Sequence, residues 1–193
     1  MTTPVMQRAR ERFWDNFTRT GEISIDHVTG LVSCTGDVET ANYRMGTLPV
    51  VFDHVNGSFM CTSSDLISLK GSPRTVGKHF RCSANELRSL EGGPRTVGGS
   101  YFCQNNRLTS LAGVPESVSG TWFMTVNQDV PLLNLLHIRE VDGFVLNSED
   151  SRFSRLHDLE EILMRYRGTG YNGMAPCAAR MAKAGYESNA RMG

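Results

Sequence analysis

From Val38 to Leu132 the same apolar positions return every 21 residues. One column holds Val38, Phe59, Phe80, Tyr101 and Trp122, and two residues further on come Thr40, Cys61, Cys82, Cys103 and Met124. The residue between them, Arg81 in the copy best preserved, is free to vary. Two inward positions flanking one outward position make the period of a short strand. A third column, Tyr43, Ser64, Asn85, Asn106 and Asn127, falls where that strand must bend. A buried Asn there donates to and accepts from backbone that no ladder reaches. Leu66, Leu87 and Leu108, then Leu69, Leu90 and Leu111, predict a core beneath a return segment, and Cys34, Val55, Val76, Val97 and Val118 form a further apolar column.

A fixed period of this size predicts a solenoid. Pro73, Pro94 and Pro115, with Gly71, Gly92 and Gly113, interrupt any regular element on the far side of each coil. A unit of 21 residues has no room for a strand, two turns and a long helix. Short parallel strands are therefore expected on one face and irregular or short 3₁₀ turns on the other. The expected architecture is an α/β solenoid of about five units, degraded at both ends as closure of an array requires. Residues 1–30 are read as an N-terminal helix (Val5, Ala9, Phe13, Trp14 and Phe17 on its apolar face, over residues 4–18) and a lead-in strand. Residues 31–147 form the array, with a final strand at Phe144 to Asn147 whose register is one residue off. Residues 148–193 change to helical spacing. Leu156, Leu159, Ile162, Leu163 and Tyr166 line one helix, Met174, Cys177, Ala178, Met181 and Ala182 a second, and the GTGYNG stretch joins them as a hairpin.

The motif FxCxxNxLxSLxGxP resembles the leucine-rich repeat in its short bacterial form. It is similar above all to small leucine-rich repeat proteins encoded by tailed bacteriophages. Their arrays carry a lead-in strand, here GEISIDHVTGLVSCTGDVE, and a short helical tail, here from Leu159 onward. The likeness spans almost everything after residue 20. It implies a leucine-rich repeat fold and a phage origin, hence a host bacterial cytoplasm during infection or incorporation in the virion; it implies little about activity.

Composition narrows the partners. The chain has 20 basic and 20 acidic side chains, spread evenly over its N-terminal, repeat and C-terminal parts. Sequence-independent binding to nucleic acid or membrane is therefore not expected. The opening MTTPVMQRARERFW has no apolar core of signal-peptide length, and five cysteines, an odd number, predict reduced thiols in a cytoplasm.

No catalytic constellation emerges, and no enzyme, metal or cofactor is expected. The cysteine column is read as packing, because Met124 occupies it in the next unit. Cys177 lies on the apolar side of its helix with no acid beside it, unlike the nucleophile of the larger ubiquitin-ligase domains that follow some bacterial leucine-rich repeats. RGTGYNG lacks the lysine and spacing of a phosphate-binding loop. Glu160 and Glu161, adjacent on a helix, point about 100° apart. His27, His54, His79, His137 and His157 show no ligand spacing.

The outward positions of the strand are the informative ones. Glu39, Met60, Arg81, Phe102 and Phe123 occupy the central column, with His79 in the column before it and Gln104 in the column after. Solvated strand positions without a task are polar, yet here Met, Phe and Arg gather as they do in protein interfaces. Met60, His79, Arg81, Phe102, Gln104 and Phe123 are the expected partner-binding residues. The partner would be a protein, either a host factor or a phage structural neighbour; in the second case the chain is a virion or assembly component. Coverage of the two Phe rings by the hairpin or the N-terminal helix is the competing reading.

Overall fold

The computed structural model describes residues 17–40, 44, 46–150, 153 and 155–192. Within them the chain winds as a β-solenoid of about five coils with a spacing near 21 residues, followed by two helices. It opens with β1 (Thr18–Arg19) and β2 (Ile23–Ile25), then β3 (Val32–Cys34) and β4 (Val38–Glu39). Each later coil contributes two short strands. These are β5 (Phe52–Val55) and β6 (Phe59–Met60), β7 (Thr75–Val76) and β8 (Phe80–Arg81), β9 (Thr96–Val97) and β10 (Tyr101–Phe102), and β11 (Ser117–Val118) and β12 (Thr121–Thr125). A last strand, β13 (Gly143–Asn147), precedes α1 (Leu156–Tyr166) and α2 (Tyr171–Lys183).

The strands assemble into two sheets. A front sheet runs β1-β4-β6-β8-β10-β12-β13 and a side sheet runs β11-β9-β7-β5-β3-β2. All pairs are parallel except β1 with β4 and β2 with β3. The side sheet is more regular than the turns expected there. Its inward residues are the valine column, Val55, Val76, Val97 and Val118, all buried, and β-branched side chains favour the extended backbone. The corner between the sheets explains why glycine recurs at it. A Cβ on Gly98 would lie 2.3 Å from the carbonyl oxygen of Gly77, and one on Gly77 would lie 2.1 Å from that of Asn56.

Inside, the columns become ladders. Phe59, Phe80, Tyr101 and Trp122 are fully buried, with successive ring centroids 5.8, 5.0 and 4.4 Å apart. Leu66, Leu87 and Leu108, with Leu69, Leu90 and Leu111, close the core from the return leg. Each such side chain contributes roughly 1.5–3 kcal/mol of burial free energy.

The asparagine column stitches coil to coil. Asn85 Oδ1 accepts the Ser64 and Leu66 N–H groups, both at 2.9 Å. Its Nδ2 donates to the carbonyls of Cys61 at 2.8 Å and Cys82 at 3.0 Å. Asn106 repeats the pattern on Cys82 and Cys103, and Asn127 donates to Leu108.

Both ends are closed. The helix expected over residues 4–18 lies mostly outside the described residues, but its end is corrected. Thr18–Arg19 is extended and pairs with Val38–Glu39, which covers the open edge of the first front strand. At the other end a 3₁₀ turn, Leu132–His137, buries Leu132, Leu133, Leu135 and Leu136. Helix α1 packs on β13 and α2 on that turn, with Leu159, Leu163, Cys177 and Met181 buried. The Glu160 carboxylate accepts the Leu146 N–H at 2.7 Å, and Asn189 Nδ2 donates to the carbonyls of Asn127 and Val130, both at 2.8 Å.

Candidate functional site

Parallel, in-register pairing turns the central outward column into a straight row. Glu39, Met60, Arg81, Phe102 and Phe123 are successive partners, and pairing of β12 with β13 adds Val145. Neighbouring strands lie about 4.8 Å apart. The structure thus brings Met60, Arg81, Phe102 and Phe123 together in one line, with His79 and Gln104 in the rows on either side. Val145, 45% exposed, escaped the sequence reading. Trp122 pairs with Phe144, an offset of 22 residues, so a 21-residue frame misses it; the apolar pattern of FVLN was the available signal.

The row has a defined geometry. The Phe102 and Phe123 rings are stacked, centroids 4.5 Å apart and planes within 6°. On the other face of Phe102 stands the Arg81 guanidinium, 4.0 Å from the ring centroid. His79 meets the Phe102 ring edge-on at 6.1 Å, held by accepting the Ser100 N–H on Nδ1 at 3.0 Å. Both faces of the half-buried Phe102 are therefore occupied, so what it presents to solvent is ring edge. Ring edges carry the positive end of the aromatic quadrupole, and the guanidinium adds a full charge.

Arg81 differs from the paired arginines of the array. Arg44 meets Asp65 at 3.6 Å, Arg74 meets Asp53 at 2.7 Å, Arg95 meets Glu116 at 3.2 Å and Arg107 meets Glu86 at 2.6 Å, each across one coil. Arg88 and Arg139, both exposed, have no such partner among the described residues. Arg81 is partly buried, rests on Phe102, and among the described residues faces no carboxylate within ion-pair distance. Glu39, the acid of its own row, is two strands away, roughly 9.6 Å. The hairpin packs on β13 and the 3₁₀ turn; residues 1–16, the other candidate cover for the Phe rings, lie outside the described residues.

The remaining candidates have settled surroundings. All five cysteines are buried. Cys61 Sγ donates to the Arg81 carbonyl at 3.4 Å, and burial pushes its thiol up to about 12. Cys103 donates to Phe123 O at 3.4 Å and is likewise raised by burial, as is Cys82. Cys177 lies 3.9 Å from Met181 Sδ, with its thiol raised to about 11 by burial. Such thiols are poor nucleophiles. Of RGTGYNG, Arg167–Gly170 form the turn between α1 and α2, where the Thr169 hydroxyl donates to the Tyr166 carbonyl, and Tyr171–Gly173 already open α2. A shallow depression of about 410 Å³ on the side sheet is lined by Asp53, Arg74, Arg95 and Glu116 with His54, Thr75 and Thr96, and its charges pair with one another. Among the described residues no group of three His, Cys, Asp or Glu side chains is placed to hold a metal, and no helix is long and apolar enough to cross a membrane.

Comparison with protein-family models, curated proteins and solved structures gives no match. The geometry of the outer row is therefore what bears on function.

Proposed function

We propose that this chain is a non-enzymatic protein-binding module of phage origin, whose partner, a host or phage protein, docks on the outer face of the front sheet. The observation that carries this reading is the stacked pair Phe102 and Phe123, set with Met60 and Val145 on a solvent-facing row. Apolar and Arg side chains clustered on a rigid face are what protein interfaces use. Phe102 itself offers no open ring face for stacking a base or sugar, since its two faces are taken by Phe123 and Arg81. The phage origin rests on the likeness of the 21-residue motif to phage-encoded repeats.

The test is affinity purification of the tagged chain from infected cells, comparing wild type with Phe102→Ala/Phe123→Ala. The double variant is expected to lose the specific partner while its circular dichroism stays native, because both rings lie outside the core. Unchanged capture would reject the assignment. Stoichiometric presence of the chain in purified particles would make that partner a structural neighbour in the virion.

A further inference from the structure

We infer that the partner meets this face with a carboxylate seated on Arg81 beside an apolar side chain lodged against Phe102 and Phe123. This rests on the docking reading above and adds the chemistry of the occupant. Three observations converge. Among the described residues Arg81 is a partly buried guanidinium with no carboxylate within ion-pair distance, whereas Arg44, Arg74, Arg95 and Arg107 each have one and the other unpaired arginines of the array, Arg88 and Arg139, are exposed. Contact with Phe102 at 4.0 Å holds the guanidinium over the ring in advance, so less side-chain freedom is lost when it meets a bidentate acceptor. The ring edges beside it are electropositive, and His79 keeps Nδ1 engaged with Ser100, leaving only its other ring nitrogen for an outside group. The row thus offers one cationic position followed by three apolar ones, Phe102, Phe123 and Val145. A segment laid along it complements that order with one acidic residue and then apolar residues.

A phosphate would also suit a guanidinium. The balanced charge of the chain, 20 basic against 20 acidic side chains, and the occupied ring faces favour a protein carboxylate over a nucleic-acid backbone.

The test is selection from a random peptide display library on the immobilised full chain, run in parallel on wild type, Arg81→Glu and Phe102→Ala/Phe123→Ala. Wild type is expected to enrich sequences pairing Asp or Glu with apolar residues. Arg81→Glu should switch the enrichment to Lys or Arg. For one selected peptide measured by fluorescence anisotropy, Arg81→Glu should weaken binding by about tenfold or more, and amidating the peptide's carboxylate should give a similar loss. Replacing both at once should cost less than the sum of the two losses. Peptides that need Phe102 and Phe123 but show no acidic preference would overturn this inference and leave the docking reading standing. Failure to select any peptide would count against both. Salt-sensitive binding of a single-stranded oligonucleotide that Arg81→Glu abolishes would overturn it in favour of a phosphate partner.

Discussion

A thiol enclosed on all sides stays protonated far into alkaline solution, and the inner cysteine row has that property. The Cys61 thiol is pushed from 9.0 up to about 12 by burial, and Cys82 and Cys103 move the same way. The folded pKa is raised, so the stability linked to these groups is complete below the unfolded value near 9. It is lost as pH climbs from there toward the folded value, because the unfolded chain releases protons that the folded chain keeps. Thermal melts should show little thiol-linked change between about pH 7 and pH 8.5 and a steepening fall above about pH 9. Cys61→Ala should flatten part of that fall relative to wild type; identical slopes would remove the thiol from the account. The sequence made this residue class legible because Met124 shares the column. It made the outer row legible for the opposite reason, since Phe102 and Phe123 stand where a strand should be polar. The cation–π contact of Arg81 was not legible, as it depends on a rotamer and not on a column.

At the scale of the element, the coil is held by side chains that act on backbone. Asn85 joins two successive coils through hydrogen bonds to Ser64, Leu66, Cys61 and Cys82. Asn85→Ala would leave the Ser64 and Leu66 N–H groups and the Cys61 carbonyl without this partner, at roughly 1–3 kcal/mol for each unsatisfied group, while Asn106 still donates to the Cys82 carbonyl. A melting temperature lower by at least about 6–12 °C is expected, the lower end of that cost for the three groups at roughly 2–4 °C per kcal/mol in a chain of this size; a shift within error would show that water replaces the amide. The front strands could be read from period-two alternation, and the final strand from its apolar run. The side strands could not. Thr75–Val76 and Thr96–Val97 are two residues long, too short to display any period, and only closure of the coil against its neighbours makes them a sheet.

At the scale of the whole molecule, a stack of coils is stable only if its last coil has something to bind. Front-sheet pairing ends at β13 in this direction, where the Glu160 carboxylate takes the Leu146 N–H and Asn189 reaches back to Asn127 and Val130. Glu160→Ala is expected to raise hydrogen exchange at Leu146 well before the central coils, and to promote concentration-dependent association through the freed strand edge. Glu160→Gln, which keeps an acceptor, should do neither. Unaltered exchange at Leu146 in the Ala variant would mean that packing of α1 alone seals the edge. The helical character of this tail was plain from its spacing; its role as a lid was not, because the two polar contacts that latch it join residues 14 and about 60 positions apart.

The hydrogen bonds that join one coil to the next are made by backbone and by Asn, Ser, Asp, His and Cys side chains such as Asn85, Ser100, Asp37, His79 and Cys61, and among the described residues none of these involves a side chain at the centre of the outer row. A tandem copy of residues 87–107, spliced after Arg107, would therefore leave both lids in place. It would lengthen the outer row by one tooth, roughly 4.8 Å. Such a chain can change what it grips by altering copy number as well as by substitution, and each new copy arrives with a tooth that can mutate without cost to the stack.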